Sequence, residues 1–313
     1  MSDKDGGTGH IIQSLIVNVL IAASKGVAAF FTGSGAMLAE AIHSTADCGN
    51  QLLLLRGVKE AKKPADAAHP LGYGRNVYFW SFMVALLLFT GGGVFSIYEG
   101  IHKLSHPEKV ENVLLAVGIL GFSLLLEGWA TIGNVKELNK RRAGKPFFGF
   151  LRDTKDSDLV VVFGENSAAV LGLVLALGAI LISHYTGEPR ADAIGSILVG
   201  LVLVGVAVFL AIEVKSLLVG ESADPEITAA VHRLAVEDKR VISVDECVTM
   251  QQGPGEVVVA IKIRCEPDVT AGDISALINA FEGRLRAARP ECKYIFVEPD
   301  LSVAPAKVQA AQV

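Results

Sequence analysis

The chain has 313 residues and a formal net charge of −5, and 51% of its residues are hydrophobic against 19% charged. That charge, with an isoelectric point near 5.8, excludes nucleic acid as a partner because phosphate binding needs a dense positive patch, while a mean hydropathy of +0.46 points to a membrane. Cys48, Cys247, Cys265 and Cys292 stand far apart with no CxxC pair, which excludes a disulfide framework and a thiolate zinc finger and reads as free thiols.

The first ten residues, MSDKDGGTGH, form a polar segment with two acids, unlike a cleavable secretory signal, so the apolar stretch after it reads as a helix that stays in the membrane. Six segments reach the roughly 20 apolar residues that a bilayer crossing needs: about 11 to 31, 35 to 56, 77 to 101, 113 to 135, 158 to 183 and 192 to 214. An even number puts both termini on one side. Lys59, Lys62, Lys63 and Arg75 follow the second span, and Lys136, Lys140, Arg141, Arg142, Lys145, Arg152 and Lys155 follow the fourth. The opposite loops hold only Lys103, Lys109 and Arg190, so the positive-inside bias makes both termini cytoplasmic. The membrane is a bacterial inner membrane or that of an organelle.

Past the membrane domain of residues 11–214, the composition becomes that of a soluble α+β domain over 215–300. Ser222 or Asp224 is placed to cap a helix. Val257, Val259, Ile261, Ile263 and Cys265 alternate as a strand does, and Ile274, Leu277, Ile278, Phe281 and Leu285 follow helical spacing. The expected order is helix, strand, strand, helix, strand, with QQGPGE as the turn between the first two strands, and residues 301–313 read as a flexible tail.

Ionisable groups in a span are costly, so function is sought there. At 1.5 Å per residue, His43 lies about 12 Å and Asp47 about 18 Å from the outer end of span two, and Glu165 about 10 Å in from the inner end of span five. Asn18 of span one and Glu127 of span four come out near the same level, while Lys25, Glu40, Glu99 and Asp192 lie nearer the outer face, where Lys25 pairs with Glu40 or Glu99. The i, i+4 spacing of His43 and Asp47 stacks both side chains on one helix face. One imidazole and two carboxylates suit a borderline divalent ion such as zinc, and Glu165 from a facing helix would close the site. The plainer alternative is a His–Asp hydrogen bond in a packed bundle. Glu127 reads as ligand, as proton carrier or as the partner of a hydroxyl. Cys48 points about 100° away from Asp47 and reads as packing, and Gly91 to Gly93 as close helix contact or a bend.

SGAMLAEAIHSTADCGNQ resembles the second span, with its HxxxD metal motif, of the cation diffusion facilitators, a family that includes the zinc transporters; HPLGYGR (69 to 75) is similar to the loop after that span. Six spans followed by a small domain ending in FVEPD complete a likeness over nearly the whole chain, strongest to the zinc transporter nine type branch. The resemblance implies a second pair in span five, where Glu165 takes the first place and Ala169, which has no ligand atom, the second. Water, Asn18, Asn166 or Glu127 would supply the fourth contact. It also implies an accessory site at Asp66 and His69, with Tyr73 where a histidine would stand, and a C-terminal dimerisation module of metallochaperone or ferredoxin-like fold.

The expectation is a homodimeric secondary transporter in the lipid bilayer that exports zinc from the cytoplasmic side by proton antiport with alternating access, with no organic cofactor, no nucleic acid and no enzymatic activity. No P-loop is present to supply ATP energy. Alternatives are manganese, iron, cobalt or nickel as the cargo, or, in a different class, a membrane-embedded metal-dependent hydrolase or a metal-binding scaffold. The hydrolase lacks an HExxH pair.

Overall fold

The computed structural model describes residues 6–301 apart from 108, 143, 145, 155 and 156. Residues 302–313 of the expected tail and residues 1–5 of the polar N-terminal segment lie outside the described residues. The chain forms two compact units, one joining the residues up to Lys62 with Asn76–Leu218, the other joining Lys63–Arg75 with the residues from Val219 on.

The first unit is helical. It comprises α1 (Gly6–Thr32), α2 (Gly35–Ala61), α3 (Asn76–Leu87), which runs through a π-helical turn at Leu88–Val94 into α4 (Phe95–Ser105), α5 (Val113–Arg141), the short α6 (Phe147–Asp153), α7 (Ser157–Thr186) and α8 (Arg190–Val219). Among the described residues four helices are long and apolar enough to cross a membrane: Asn76–Ser105, Val113–Arg141, Val160–Thr186 and Arg190–Val219. α2 is as long at 27 residues, but Glu40, His43, Asp47 and Asn50 interrupt its apolar run. The interior is built largely from small residues, among them Ala28, Ala36, Ala39, Ala168, Ala176 and Ala207, while Phe30, Leu114, Phe122, Leu125, Trp129 and Ile212 face outward. Water would penalise such an outer surface; lipid does not, and small residues inside let helix backbones approach closely.

Two local devices shape this unit. Gly33 has a positive φ of 63° and turns the chain from α1 into α2. Ser34 then caps α2 by accepting from Met37 N, and Asp192 of α8 accepts from the Ser34 hydroxyl and the Gly35 amide, a carboxylate set against the positive end of α2. Along α4 and α8 the backbones nearly touch. A Cβ on Gly100 would stand 2.7 Å from the Ala193 carbonyl oxygen, and one on Gly200 would stand 2.8 Å from that of Gly93. The sequence suggests either close contact or a bend at Gly91 to Gly93; the structure contains a π-helical turn there together with the contact of Gly93 on α8.

The second unit has the order α9 (Pro225–Ala235), β1 (Val241–Gly253), β2 (Glu256–Cys265), α10 (Ala271–Ala288) and β3 (Cys292–Asp300). Its sheet order is β1-β2-β3, with β1 and β2 antiparallel and β2 and β3 parallel across the α10 connection. Val257, Val259, Ile261, Ile263 and Cys265 all point into the core, where they meet Ile227 and Val231 of α9 and Leu277, Phe281 and Leu285 of α10. Asp224, not Ser222, caps α9, with Pro225 in the first turn, and Thr270 with Asp273 forms a capping box on α10.

The sequence marks residues 63–75 as the connection between two membrane helices, with a candidate accessory site at Asp66 and His69. In the structure they pack on the sheet of the second unit. Gly74 lies against Gly253 so closely that a Cβ there would be 2.7 Å from the Gln252 carbonyl oxygen. The Gln252 amide donates to Leu71 O at 3.4 Å, and Arg75 Nη2 approaches Met250 Sδ at 2.7 Å. Local periodicity carries no signal of such long-range contact.

Candidate metal-binding site

α2 presents His43, Asp47 and Asn50 at positions i, i+4 and i+7, which places all three on one helix face over two turns. His43 and Asn50 are fully buried, and 19% of the Asp47 side chain is exposed. His43 Nδ1 and Asp47 Oδ1 are 3.6 Å apart, too far for a hydrogen bond, so the plainer reading of this pair as a closed His–Asp bond does not describe the structure. Both imidazole nitrogens, Asp47 Oδ1 and Asn50 Oδ1 have no hydrogen-bond partner. Buried polar atoms are normally satisfied, and each that is not costs about 1 to 3 kcal/mol. One imidazole nitrogen carries a hydrogen, so this face offers a cation up to three lone-pair atoms, one each from His43, Asp47 and Asn50.

Glu165 reaches this face from α7. Its Oε1 accepts a hydrogen bond from Asn50 Nδ2 at 2.7 Å, and its carboxyl lies within Coulombic reach of Asp47. Glu127 of α5 is an electrostatic neighbour of both Asp47 and His43. One turn outward, Lys25 of α1 donates to Glu40 Oε2 at 3.1 Å and to Ser44 Oγ at 2.8 Å, all in the buried interior. Lys25 therefore pairs with Glu40, and its charge acts on His43, Asp47 and Glu127.

His43 and Asp47 thus stand side by side, and Glu165 is tied to α2 through Asn50. Among the described residues no group of three or more His, Cys, Asp or Glu side chains converges as a metal ion requires. Asn18 is half-buried on α1, Asn166 follows Glu165 on α7 with its carbonyl 3.5 Å from the Thr131 hydroxyl, and Ala169 is buried. Cys48 turns away and its thiol approaches Ser44 O at 3.2 Å. Asn50 is absent from the sequence-based set. The neutral amides that the set does contain, Asn18 and Asn166, enter as candidates for a fourth contact, and the i, i+4 reading of α2 stops at Asp47, one turn short of Asn50.

Asp66 and His69 belong to the second unit. There the Asp66 carboxylate accepts from the Tyr73 hydroxyl at 2.7 Å and from the backbone amides of His69 and Ala68 at 2.8 and 3.0 Å, while His69 Nδ1 stands 3.6 Å from Asp66 Oδ1. The Tyr73 hydroxyl, with the two amides, holds the Asp66 carboxyl below its ordinary value. Asp66 thus serves to fold its own loop.

Residues 11–219 match the cation efflux transmembrane domain family. The human mitochondrial protein named proton-coupled zinc antiporter SLC30A9 is 33% identical over 254 residues, 80% of this chain and 45% of that protein. Metal tolerance protein C4 of Arabidopsis thaliana is 31% identical over 247 residues, 78% of this chain and 54% of that protein, so the chain spans about half the length of these two relatives. The uncharacterized transporter MJ0449 of Methanocaldococcus jannaschii is 24% identical over 295 residues, 92% of this chain and 96% of that protein. The domain match and these likenesses make the chain a member of the cation diffusion facilitator family, a family of membrane transporters and not of enzymes, in its zinc transporter nine branch.

Proposed function

We propose that the protein is a zinc–proton antiporter. It crosses the bilayer six times, through α1, α2, the continuous α3–α4 rod, α5, α7 and α8, with both termini in the cytoplasm, and works as a homodimer paired through its soluble domain of ferredoxin-like type. The observation that carries this reading is the set of unpaired, buried donor atoms on His43, Asp47 and Asn50 beside Glu165. The likeness to the human mitochondrial protein named proton-coupled zinc antiporter supports zinc as cargo and protons as counter-ion.

The chemistry couples the two ions by competition. His43 offers a lone pair to zinc only when neutral, and Asp47 and Glu165 only when ionised, so proton and metal occupancy exclude one another. Alternating access then carries the zinc-loaded site from the cytoplasmic to the opposite face, where protons displace the ion, and returns the protonated site to the cytoplasm, where the protons leave as zinc binds. Glu127, within Coulombic reach, is placed to hold a further proton. Two carboxylates with one imidazole also accept harder ions, which favours manganese, iron, cobalt or nickel as the second reading of the cargo.

The test is zinc uptake into proteoliposomes under an imposed pH gradient. Asp47→Ala is expected to abolish uptake while the protein stays folded, and manganese, cobalt and nickel are compared in the same vesicles. Uptake by a folded Asp47→Ala protein at the wild-type rate would sink the proposed site.

A further inference from the structure

Asn50 is a fully buried amide in the middle of a helix, and its two ends are treated differently. Nδ2 donates to Glu165 Oε1 at 2.7 Å. Because the nitrogen is committed to the carboxylate, the oxygen is fixed on the other side, where Oδ1 has no partner. A side chain kept only for packing or for a helix–helix hydrogen bond would not strand its acceptor in the interior. The stranded oxygen belongs to the same stripe as His43 and Asp47, one turn beyond Asp47, and the unpaired Asp47 Oδ1 and His43 nitrogens continue that stripe.

We propose that Asn50 is a working member of the ion site, its amide oxygen a ligand for the cation and its amide N–H the clamp that orients Glu165; this rests on the metal-transport reading above. The site is then a set of one imidazole, two carboxylates and one neutral oxygen drawn from α2 and α7. A carbonyl-type oxygen is a normal ligand of hard and borderline divalent ions. The clamp matters as much as the ligand: a half-buried carboxylate on a facing helix has several rotamers, and the Asn50 hydrogen bond selects one in advance. Asn50 links the two helices that carry the charged ligands, so it also sets their spacing.

The experiment is a competition titration of zinc, and separately of manganese, against a chromogenic chelator, with the full-length protein in nanodiscs. Three variants are compared with the unsubstituted protein: Asn50→Leu, Asn50→Asp and Asp47→Ala. The Leu variant keeps the γ-branched shape and loses both functions, and zinc affinity is expected to fall about ten- to a hundredfold, the usual loss when a metal ligand's orienting partner is removed. The Asp variant keeps an oxygen and adds charge but loses the N–H clamp on Glu165, so it is expected to bind zinc more weakly than the unsubstituted protein and to shift its preference toward manganese, the harder ion. Wild-type zinc affinity in the Leu variant overturns the assignment. Where that variant fails to fold, the Asp variant decides, and a wild-type zinc affinity with an unchanged zinc-to-manganese preference overturns it. Asp47→Ala separates the two layers of argument. Undiminished zinc binding there defeats the metal-site reading itself, whereas loss there with an intact Leu variant defeats the role of Asn50 alone.

Discussion

At the scale of single residues, the interior of the helical unit is governed by a few charges that must satisfy one another. Lys25 and Glu40 are both fully buried, and Gly172 leaves the room that the Glu40 carboxylate fills. Removing one partner of a buried pair leaves an uncompensated charge at a cost of about 3 to 5 kcal/mol, while replacing both by apolar residues is often neutral. Lys25→Met is therefore expected to lower the thermal unfolding midpoint of the full chain sharply, and Lys25→Met with Glu40→Leu to recover most of it. Equal midpoints for the single variant and the unsubstituted protein would show that the pair contributes nothing. Much of this layer is legible in the sequence. His43 and Asp47 announce themselves by spacing, and depth along the helix narrows Lys25 to two partners. Asn50 is invisible at that stage, because what distinguishes it is an unshared oxygen and a bond to α7, both properties of packing.

At the scale of elements, the helices and strands follow from apolar period and length, and the turn chemistry follows from residue type. The π-helical turn does not, since i→i+5 bonding is selected by neighbours and has no fixed sequence sign. Nor does the short α6, a two-turn helix inside a basic loop. The α4–α8 seam explains what the glycines do. A Cβ on Gly100 would press on the Ala193 carbonyl and the Ile197 amide, both backbone atoms that cannot swing aside, whereas Gly118 of α5 has nothing within 4 Å. Gly100→Ala is expected to destabilise the full chain by about 1 to 3 kcal/mol, as overpacking does. Gly118→Ala should be neutral or stabilising by up to about 1 kcal/mol, through helix propensity alone. Thermal unfolding of the two variants side by side checks this, and equal effects would mean that the seam is not a packing constraint.

At the scale of the whole molecule, the orientation proposed above rests on the basic loops. Lys140, Arg141 and Arg142 close α5 within one turn, and the opposite connections hold few cations. A single cysteine in place of Arg141, on a background lacking the four native cysteines, is expected to resist an impermeant thiol reagent in intact cells and to react after permeabilisation. Efficient labelling before permeabilisation would reverse the topology. Domain organisation is only partly legible, because the sequence places the second domain after residue 214 and the structure joins Lys63–Arg75 to the unit that begins at Val219. The backbone therefore passes between the two units at three peptide links, Lys62–Lys63, Arg75–Asn76 and Leu218–Val219. The second unit is thus not a pendant on one string but a body joined by three backbone links, one of them at the end of α2, the helix that carries His43, Asp47 and Asn50. Removing residues 219–313 would take away with them the strand on which the Lys63–Arg75 loop packs.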